Sequence, residues 1–311
     1  MNILFISSGN GSDYQCDMLF HGLNELSSVT VYTHSDLWYM FDGNEPSKIN
    51  KLYGKGFSLY NRLRNDKQIE DISTIIEKIK SKFYDCVIYG SIHRCSEYLD
   101  EVLKVYPKQK IIFIDGEDFD FSLQFNFQHW WQLKHLDTYY GNYLKAIRLS
   151  KKGIYFKREL RNCDRKYFYP ISFAIPEQNI IAAPFPSKIR EQAFIVPGDL
   201  TTYIYNQEAD YYKDYAISMY AVTVKKAGWD CLRHYEILAN RCIPYFPGIE
   251  KCPVHTMHLF PKTLIVETNK LIEAHQLNES VAKYYNEILY NVTKEGLTTK
   301  KLAEYILSFI V

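Results

Sequence analysis

The sequence predicts an α/β protein built in two halves, each a parallel sheet covered by helices. Three observations carry this. Apolar runs of strand length alternate with amphipathic segments of helical spacing along the chain, the pattern of successive βαβ units. The alternation stops in a proline-interrupted polar stretch, residues 176–190, containing Pro176, Pro184 and Pro186, and then restarts. The length of 311 residues is about two domains at roughly 150 residues each, so the expected halves are residues 1–180 and 181–311.

Residues 1–7 read as a buried strand, residues 8–12 as a tight turn, and residues 13–26 as a helix whose Cys16, Leu19, Phe20 and Leu23 share a face. Residues 29–32 supply a second strand, 69–82 an amphipathic helix, 84–89 a strand, 97–105 a helix and 110–114 a strand. Further strands are expected at 153–157 and 171–174. Beyond the linker the expected order is strand 193–196, helix 207–218, strand 220–224, helix 230–240 and strand 242–246. Residues 264–266 read as one more short strand, and 281–289 and 299–309 as terminal helices able to fasten the halves together.

Thirty-seven basic residues against 36 acidic ones leave a net charge of +1, which argues against a general polyanion binder. With 47% hydrophobic and 23% charged residues the chain falls outside the disordered class. Seven dispersed cysteines, Cys16, Cys86, Cys95, Cys163, Cys231, Cys242 and Cys252, suit a reducing compartment rather than a disulfide scaffold. The start MNILFISSGNGSDYQ lacks the basic opening and long apolar core of a secretion signal. No run approaches the roughly 20 apolar residues that span a bilayer. The expectation is a cytoplasmic protein.

Candidate chemistry lies at strand ends. The SSGNGS turn contains Gly11 and is suited either to close approach of a ligand or to a plain tight turn. It matches neither GxGxxG nor GxxxxGK[ST], so neither a nicotinamide cofactor nor ATP is indicated. In IIFIDGEDFDF, Asp115, Glu117, Asp118 and Asp120 follow an apolar strand, where carboxylates orient hydroxyls, bind a cation or accept a proton. Acidic residues are equally common in exposed turns. Asp115, which ends the strand, is the first candidate and Asp118 the second. A basic segment, residues 145–166, includes Lys157 and Arg158 of YFKREL, either a phosphate-facing surface or a solvated edge.

The densest constellation is VKKAGWDCLRHYEILANRCIPYF, in which a strand leads through Gly228 into a helix carrying Arg233 and Glu236 three residues apart. Arg233 or Lys226 is suited to a diphosphate, Glu236 to hydroxyls, and the amides near Gly228 to an anion. Trp229 and Tyr235 are candidates for stacking a base, against the plainer role of packing the helix.

This stretch resembles the donor-site motif of GT-B-type glycosyltransferases, especially the bacterial spore-maturation-like ones, in its R-x-x-E-x-x-A helix and the apolar-proline strand that follows. The match falls on Arg233, Glu236, Ala239, Cys242, Ile243 and Pro244. Many such enzymes carry glycine at the turn where this chain has Asn240–Arg241. IDGEDFD and YFKREL are similar to strand-end motifs in the first half of the same group. The resemblance implies a GT-B-like fold of two Rossmann-like domains facing a central cleft. It also implies transfer of a sugar from a nucleotide-activated donor, a UDP-sugar first, to a glycan or other hydroxyl-bearing acceptor. Glu236 would orient donor hydroxyls, Lys226 and Arg233 would balance the diphosphate, and Asp115 or Asp118 would position the acceptor. No metal and no further cofactor is implied.

Two other readings stay open. One is a DNA-modifying glycosyltransferase, which needs an extended basic face; the other is a noncatalytic nucleotide-sugar-binding protein. Cys252, His255 and His258, with Cys242, are potential zinc ligands, but Pro253 and Pro261 interrupt the spacing. Tyr139, Tyr140 and Tyr143 suit an acceptor sugar or a packed surface helix.

Overall fold

The computed structural model describes residues 1–9, 11–64, 69–121, 136–182 and 185–310. The first half contains β1 (Asn2–Ile6), α1 (Tyr14–Asn24), β2 (Thr30–Thr33), α2 (Pro46–Ile49), α3 (Ile72–Lys80), β3 (Cys86–Tyr89) and α4 (Leu99–Val105). It continues with β4 (Ile111–Asp115), α5 (Leu136–Ser150), β5 (Ile154–Lys157) and β6 (Tyr169–Pro170). All six strands pair in parallel in the order β2-β1-β3-β4-β5-β6. Because β1 lies between β2 and β3, the chain crosses the sheet in opposite directions from β1, and a crevice opens beyond the carboxyl ends at that switch point.

Parallel strands are covered on both faces, and the sequence shows it as unbroken apolar runs. In β1, Ile3 and Phe5 enter one core with Phe20, Leu23, Ile88 and Ile114, while Leu4 and Ile6 enter the other with Ile75, Val87, Phe113 and Tyr155. Asp13 caps α1 by accepting from the Cys16 amide, and Asp71 caps α3 by accepting from the Ser73 amide.

The second half carries β7 (Arg190–Gln192), α6 (Glu208–Ala216), β8 (Ser218–Val222), α7 (Leu232–Ala239) and β9 (Ile243–Tyr245), followed by α8 (Lys262–Glu273), α9 (Glu279–Gly296) and α10 (Thr299–Leu307). Its sheet is parallel, in the order β7-β8-β9. Two parallel sheets, each flanked by helices, make the GT-B-like α/β arrangement of two Rossmann-like halves that the sequence predicts. Among the described residues no helix is long and apolar enough to cross a membrane.

The last helix returns to the first half. His21 and Thr299 side chains bond at 2.9 Å, and Ile175 bridges to Thr298. A Cβ on Gly22 would lie 1.8 Å from the Thr299 carbonyl oxygen, so only glycine permits this crossing of α1 and α10. The expected division near residue 180 falls in the connection between β6 and β7, and Pro184 within it lies outside the described residues.

Three expected strands differ. Residues 264–266 lie in the first turns of α8, where Ile265, Thr268, Asn269 and Ile272 are buried at helical spacing; a three-residue apolar run does not distinguish the two periods. Pairing in the second half occurs at Arg190–Gln192, an exposed edge, ahead of the expected 193–196, whose Ala193 and Ile195 instead pack into a small core with Tyr211, Tyr215 and Ile237. Residues 171–174 follow β6 outside the strand, with the Ile171 amide still donating to the Lys157 carbonyl of β5 at 3.2 Å.

Candidate functional site

A cleft of roughly 750 Å³ runs between the halves. One wall comes from the start of α1 and the segments beyond β3, β4 and β5, with Asp13, Arg94, Asp118 and Arg158; the other comes from the segment entering α7, with Lys226 and Gly228, and from α7 itself, with Arg233 and Glu236. Six of the eight predicted site residues therefore meet in one cavity: Asp118, Arg158, Lys226, Gly228, Arg233 and Glu236. Gly11 and Asp115 do not line it. Gly11 stands beside the lining residue Ser12, at φ +113°, with its carbonyl accepting from the Tyr39 hydroxyl at 3.0 Å. Asn10 of the same turn lies outside the described residues.

Asp115 is buried behind the wall. Its carboxylate accepts from Lys157 Nζ at 3.2 Å, from the Tyr155 hydroxyl at 2.9 Å and from the Glu117 amide at 3.2 Å, with His93 Nε2 at 3.1 Å. Burial by itself would raise this carboxyl, but the Lys157 ammonium and His93 hold it well below the ordinary carboxylate range. As a charge held by four neighbours, it anchors the turn that carries Asp118.

Arg158 joins the halves. Nearly fully buried, it donates to the Gly116 carbonyl from Nε at 3.0 Å and from Nη2 at 2.8 Å, pairs with Asp118, and donates from Nη1 to the Asp230 carbonyl at 2.8 Å. Its guanidinium stacks 4.4 Å from the Phe173 ring centre. Glu159 then reaches across, accepting from the Asp230 amide at 3.0 Å and from the Trp229 amide. Two of the amides near Gly228 that the sequence suggested for an anion thus already serve a protein carboxylate. Burial pushes the Asp230 carboxyl up to about 6 against the pull of Arg158. Within the basic segment Lys157 and Arg158 are buried in ion pairs and Arg161 pairs with Asp164, so the charges of these three are already taken up by protein carboxylates.

On α7, Glu236 is buried, with one oxygen accepting from the Ser58 hydroxyl and the other from the Tyr211 hydroxyl at 2.6 Å. Burial raises its carboxyl, and the Ser58 and Tyr211 hydrogen bonds oppose the rise. Arg233 lies with its guanidinium 5.1 Å from the Tyr203 ring centre, and its Nε is buried without a hydrogen-bond partner. Lys226 is exposed in the cleft and has no ion pair among the described residues. Arg233 and Lys226 are thus cations of the cleft whose charge the described protein groups do not neutralise by direct pairing, beside a carboxylate held by hydroxyl donors.

Sequence reasoning missed the segment 37–64, which crosses from the first half to the second. Lys55 Nζ donates to the Tyr205 carbonyl at 2.6 Å and to Asn206 Oδ1 at 2.7 Å, Arg62 pairs with Glu208, and Ser58 reaches Glu236. A signal that could have marked it is its glycines, Gly43, Gly54 and Gly56, each of which takes a positive φ in the structure.

The aromatic and zinc candidates resolve differently. Tyr235 is fully buried, donating to Asp230 at 2.9 Å, and Trp229 packs on Phe246. Tyr143 donates to Asp164 at 2.6 Å, while the rings of Tyr139 and Tyr140 lie outside the described residues. At the turn after α7 the left-handed position belongs to Arg241, at φ 54°, whose buried guanidinium pairs with Glu287 and stacks on Tyr290. Among the described residues, no three of Cys242, Cys252, His255 and His258 gather at ligand distance. His258 instead bonds Ser172 at 3.0 Å.

Fold and cleft define an α/β protein of GT-B-like architecture with a cationic, carboxylate-bearing cavity between its halves. No family model matches the chain, and no curated protein matches it. Among solved structures it is similar to one described as the crystal structure analysis of the glycotransferase of kitacinnamycin, at 10% identity and a TM-score of 0.37, over 100% of this chain and 99% of that one.

Proposed function

We propose that the protein is a glycosyltransferase that takes a sugar from a nucleoside diphosphate donor, a UDP-sugar first, and passes it to a hydroxyl of a glycan-type acceptor. Residues 181–311 are the donor side and residues 1–180 the acceptor side. The observation that carries the reading is Arg233, buried with an unpartnered Nε one helical turn from Glu236 in the same cavity. A buried guanidinium donor without a partner is costly unless a ligand supplies one, and a phosphate oxygen is the matching acceptor.

In the reaction, the acceptor oxygen bonds to the anomeric carbon as that carbon's bond to the diphosphate oxygen breaks. Lys226 and Arg233 balance the charge that collects on the leaving diphosphate. Glu236 accepts hydrogen bonds from donor hydroxyls. Asp118, about half exposed at the side chain, is the carboxylate placed to orient the acceptor hydroxyl and take its proton. Asp115 acts through the turn that presents Asp118. Gly228 allows the donor loop to approach the first half, and the Gly11 turn borders the acceptor side. The paired state of Lys157 and Arg158 disfavours a DNA acceptor.

The test is incubation with a panel of nucleotide sugars and candidate acceptors, with released nucleotide as the readout. UDP-sugars are expected to turn over, and Arg233→Met to lower the rate by about 100-fold or more, the usual effect of removing one donor to a developing anion. Donor binding without release under every acceptor would favour the noncatalytic reading. If no nucleotide binds and Glu236→Gln changes nothing, the proposal fails.

A further inference from the structure

We propose that His34, Cys95 and Glu97 form a binding site for a thiophilic divalent cation of the zinc class. His34 directly follows β2, and Cys95 and Glu97 lie between β3 and α4. In the order β2-β1-β3 these segments leave the carboxyl ends of the two strands flanking β1. A metal there would tie together two loops separated by 61 residues of sequence.

The donor set has one nitrogen, one sulfur and one oxygen. His34 Nε2 lies 3.9 Å from Cys95 Sγ and 3.5 Å from Glu97 Oε2, and all three ligand atoms fall within 4.8 Å of one another. Zinc bonds of about 2.0–2.3 Å in a tetrahedron place such donors roughly 3.4–3.6 Å apart. Contraction by a few tenths of an ångström between nitrogen and sulfur, and up to about an ångström between sulfur and carboxylate, therefore closes the site. Thiolate with imidazole selects zinc-class ions over magnesium or calcium, which prefer all-oxygen sets.

Each ligand is held from outside the cluster. The Cys95 amide donates to the Ser91 carbonyl at 2.9 Å. The Tyr89 hydroxyl donates to the Glu97 carbonyl at 3.2 Å, and the Tyr98 ring meets the His34 ring edge-on at 5.8 Å. His34 Nδ1 is buried without a partner, which leaves Nε2 as the nitrogen engaged with the cluster. The His34 side chain is 6% exposed and that of Glu97 61% exposed. The ion thus enters from the Glu97 side, and water completes the fourth position. Binding transfers the Cys95 thiol proton to solvent as the sulfur–metal bond forms.

The site is separate from the cleft but adjoins it through Arg94, the residue before Cys95. Arg94 Nε stands 3.2 Å from Asp13 and 3.5 Å from Glu117, and all three line the cleft.

The experiment uses the full chain, stripped with chelator and titrated with Co²⁺ and then Zn²⁺. One Co²⁺ per chain is expected, with thiolate-to-cobalt charge-transfer absorption that Zn²⁺ abolishes. Cys95→Ser should lose that absorption and weaken Zn²⁺ binding by more than about 100-fold, beyond what loss of an outer-shell partner causes. Cys163→Ser, at an exposed cysteine elsewhere, should retain both. Should Cys95→Ser fail to fold, Glu97→Gln, altered only at an exposed carboxylate, should weaken Zn²⁺ binding by about tenfold or more. The proposal is overturned by absence of the charge-transfer band in the folded wild type, by its survival in Cys95→Ser, or by unchanged affinity in Glu97→Gln; any of these leaves His34 and Glu97 as a side-chain contact without a metal.

Discussion

Ser58 and Glu236, 178 residues apart, share a hydrogen bond across the two halves of the molecule. Ser58 holds a left-handed backbone at φ 74°, a conformation that costs a non-glycine residue about 1–3 kcal/mol. Its surroundings impose it: the Ser58 amide donates to Glu208 at 2.6 Å, and its carbonyl accepts from Asn179 Nδ2 at 2.6 Å. Tyr212 donates to the Ser58 hydroxyl as well. The carboxylate proposed to bind donor hydroxyls is therefore occupied by a hydroxyl of the protein itself, so the proposed donor contact at Glu236 would exchange one hydroxyl for another.

Ser58→Ala removes the internal hydroxyl while leaving Glu236 and Tyr211 in place. The ligand-free variant should be less stable by about 1–3 kcal/mol, because a buried carboxylate oxygen and the Tyr212 hydroxyl lose a partner. Added UDP-sugar should raise the Tm of the variant more than that of the wild type, since the donor's hydroxyl restores the missing bond. Thermal melts with and without donor decide it; a smaller shift in the variant would mean that Ser58 belongs to the donor's own contacts.

Gly228→Ala probes the close approach of the halves. A Cβ there would lie 2.5 Å from Glu159 Oε1 and 3.1 Å from Asp118 Oδ1. Glu159 is held by the Asp230 and Trp229 amides and by Arg158, so it cannot swing aside without abandoning them. A stability loss of about 1–3 kcal/mol is expected, together with weaker nucleotide-sugar binding, read by urea denaturation and calorimetric titration. Wild-type values in both would show that the loop yields freely.

Asp17→Asn tests a buried acid beneath the first loop. Asp17 accepts from Tyr60 at 2.9 Å and Tyr39 at 3.2 Å, and burial pushes its carboxyl up to about 8. The unfolded chain releases this proton near pH 4, whereas the folded protein keeps it until about pH 8. The folded state binds the extra proton within that window, so this group makes stability fall as pH rises from about 4 to about 8. The variant lacks the titration, and its Tm relative to wild type should climb steadily between about pH 5 and pH 8. A constant difference across that range would refute the assignment.

Much of the cleft wall contributed by the second half was legible because it is local. Arg233 and Glu236 are three residues apart, and helical spacing alone puts them on neighbouring turns. The strand ends at Asp115 and Lys157 were equally plain, as unbroken apolar runs stopping at charge. What the spacing did not show is that these two charges neutralise each other behind the wall while Asp118 and Arg158 face the cleft. Two adjacent strands had to pair in register, Asp115 beside Lys157, before that could be known.

By itself the sequence determined the α/β alternation, the two parallel sheets and the segment that forms the cationic wall, because hydrophobic period and strand-end polarity are written within a dozen residues. Only the tertiary structure decided that residues 37–64 cross to the other half, that α10 packs on α1 through Gly22, that Ser58 occupies Glu236, and that His34 meets Cys95. Each of those contacts depends on where distant segments of chain return, and burial patterns record that a side chain is covered without recording what covers it.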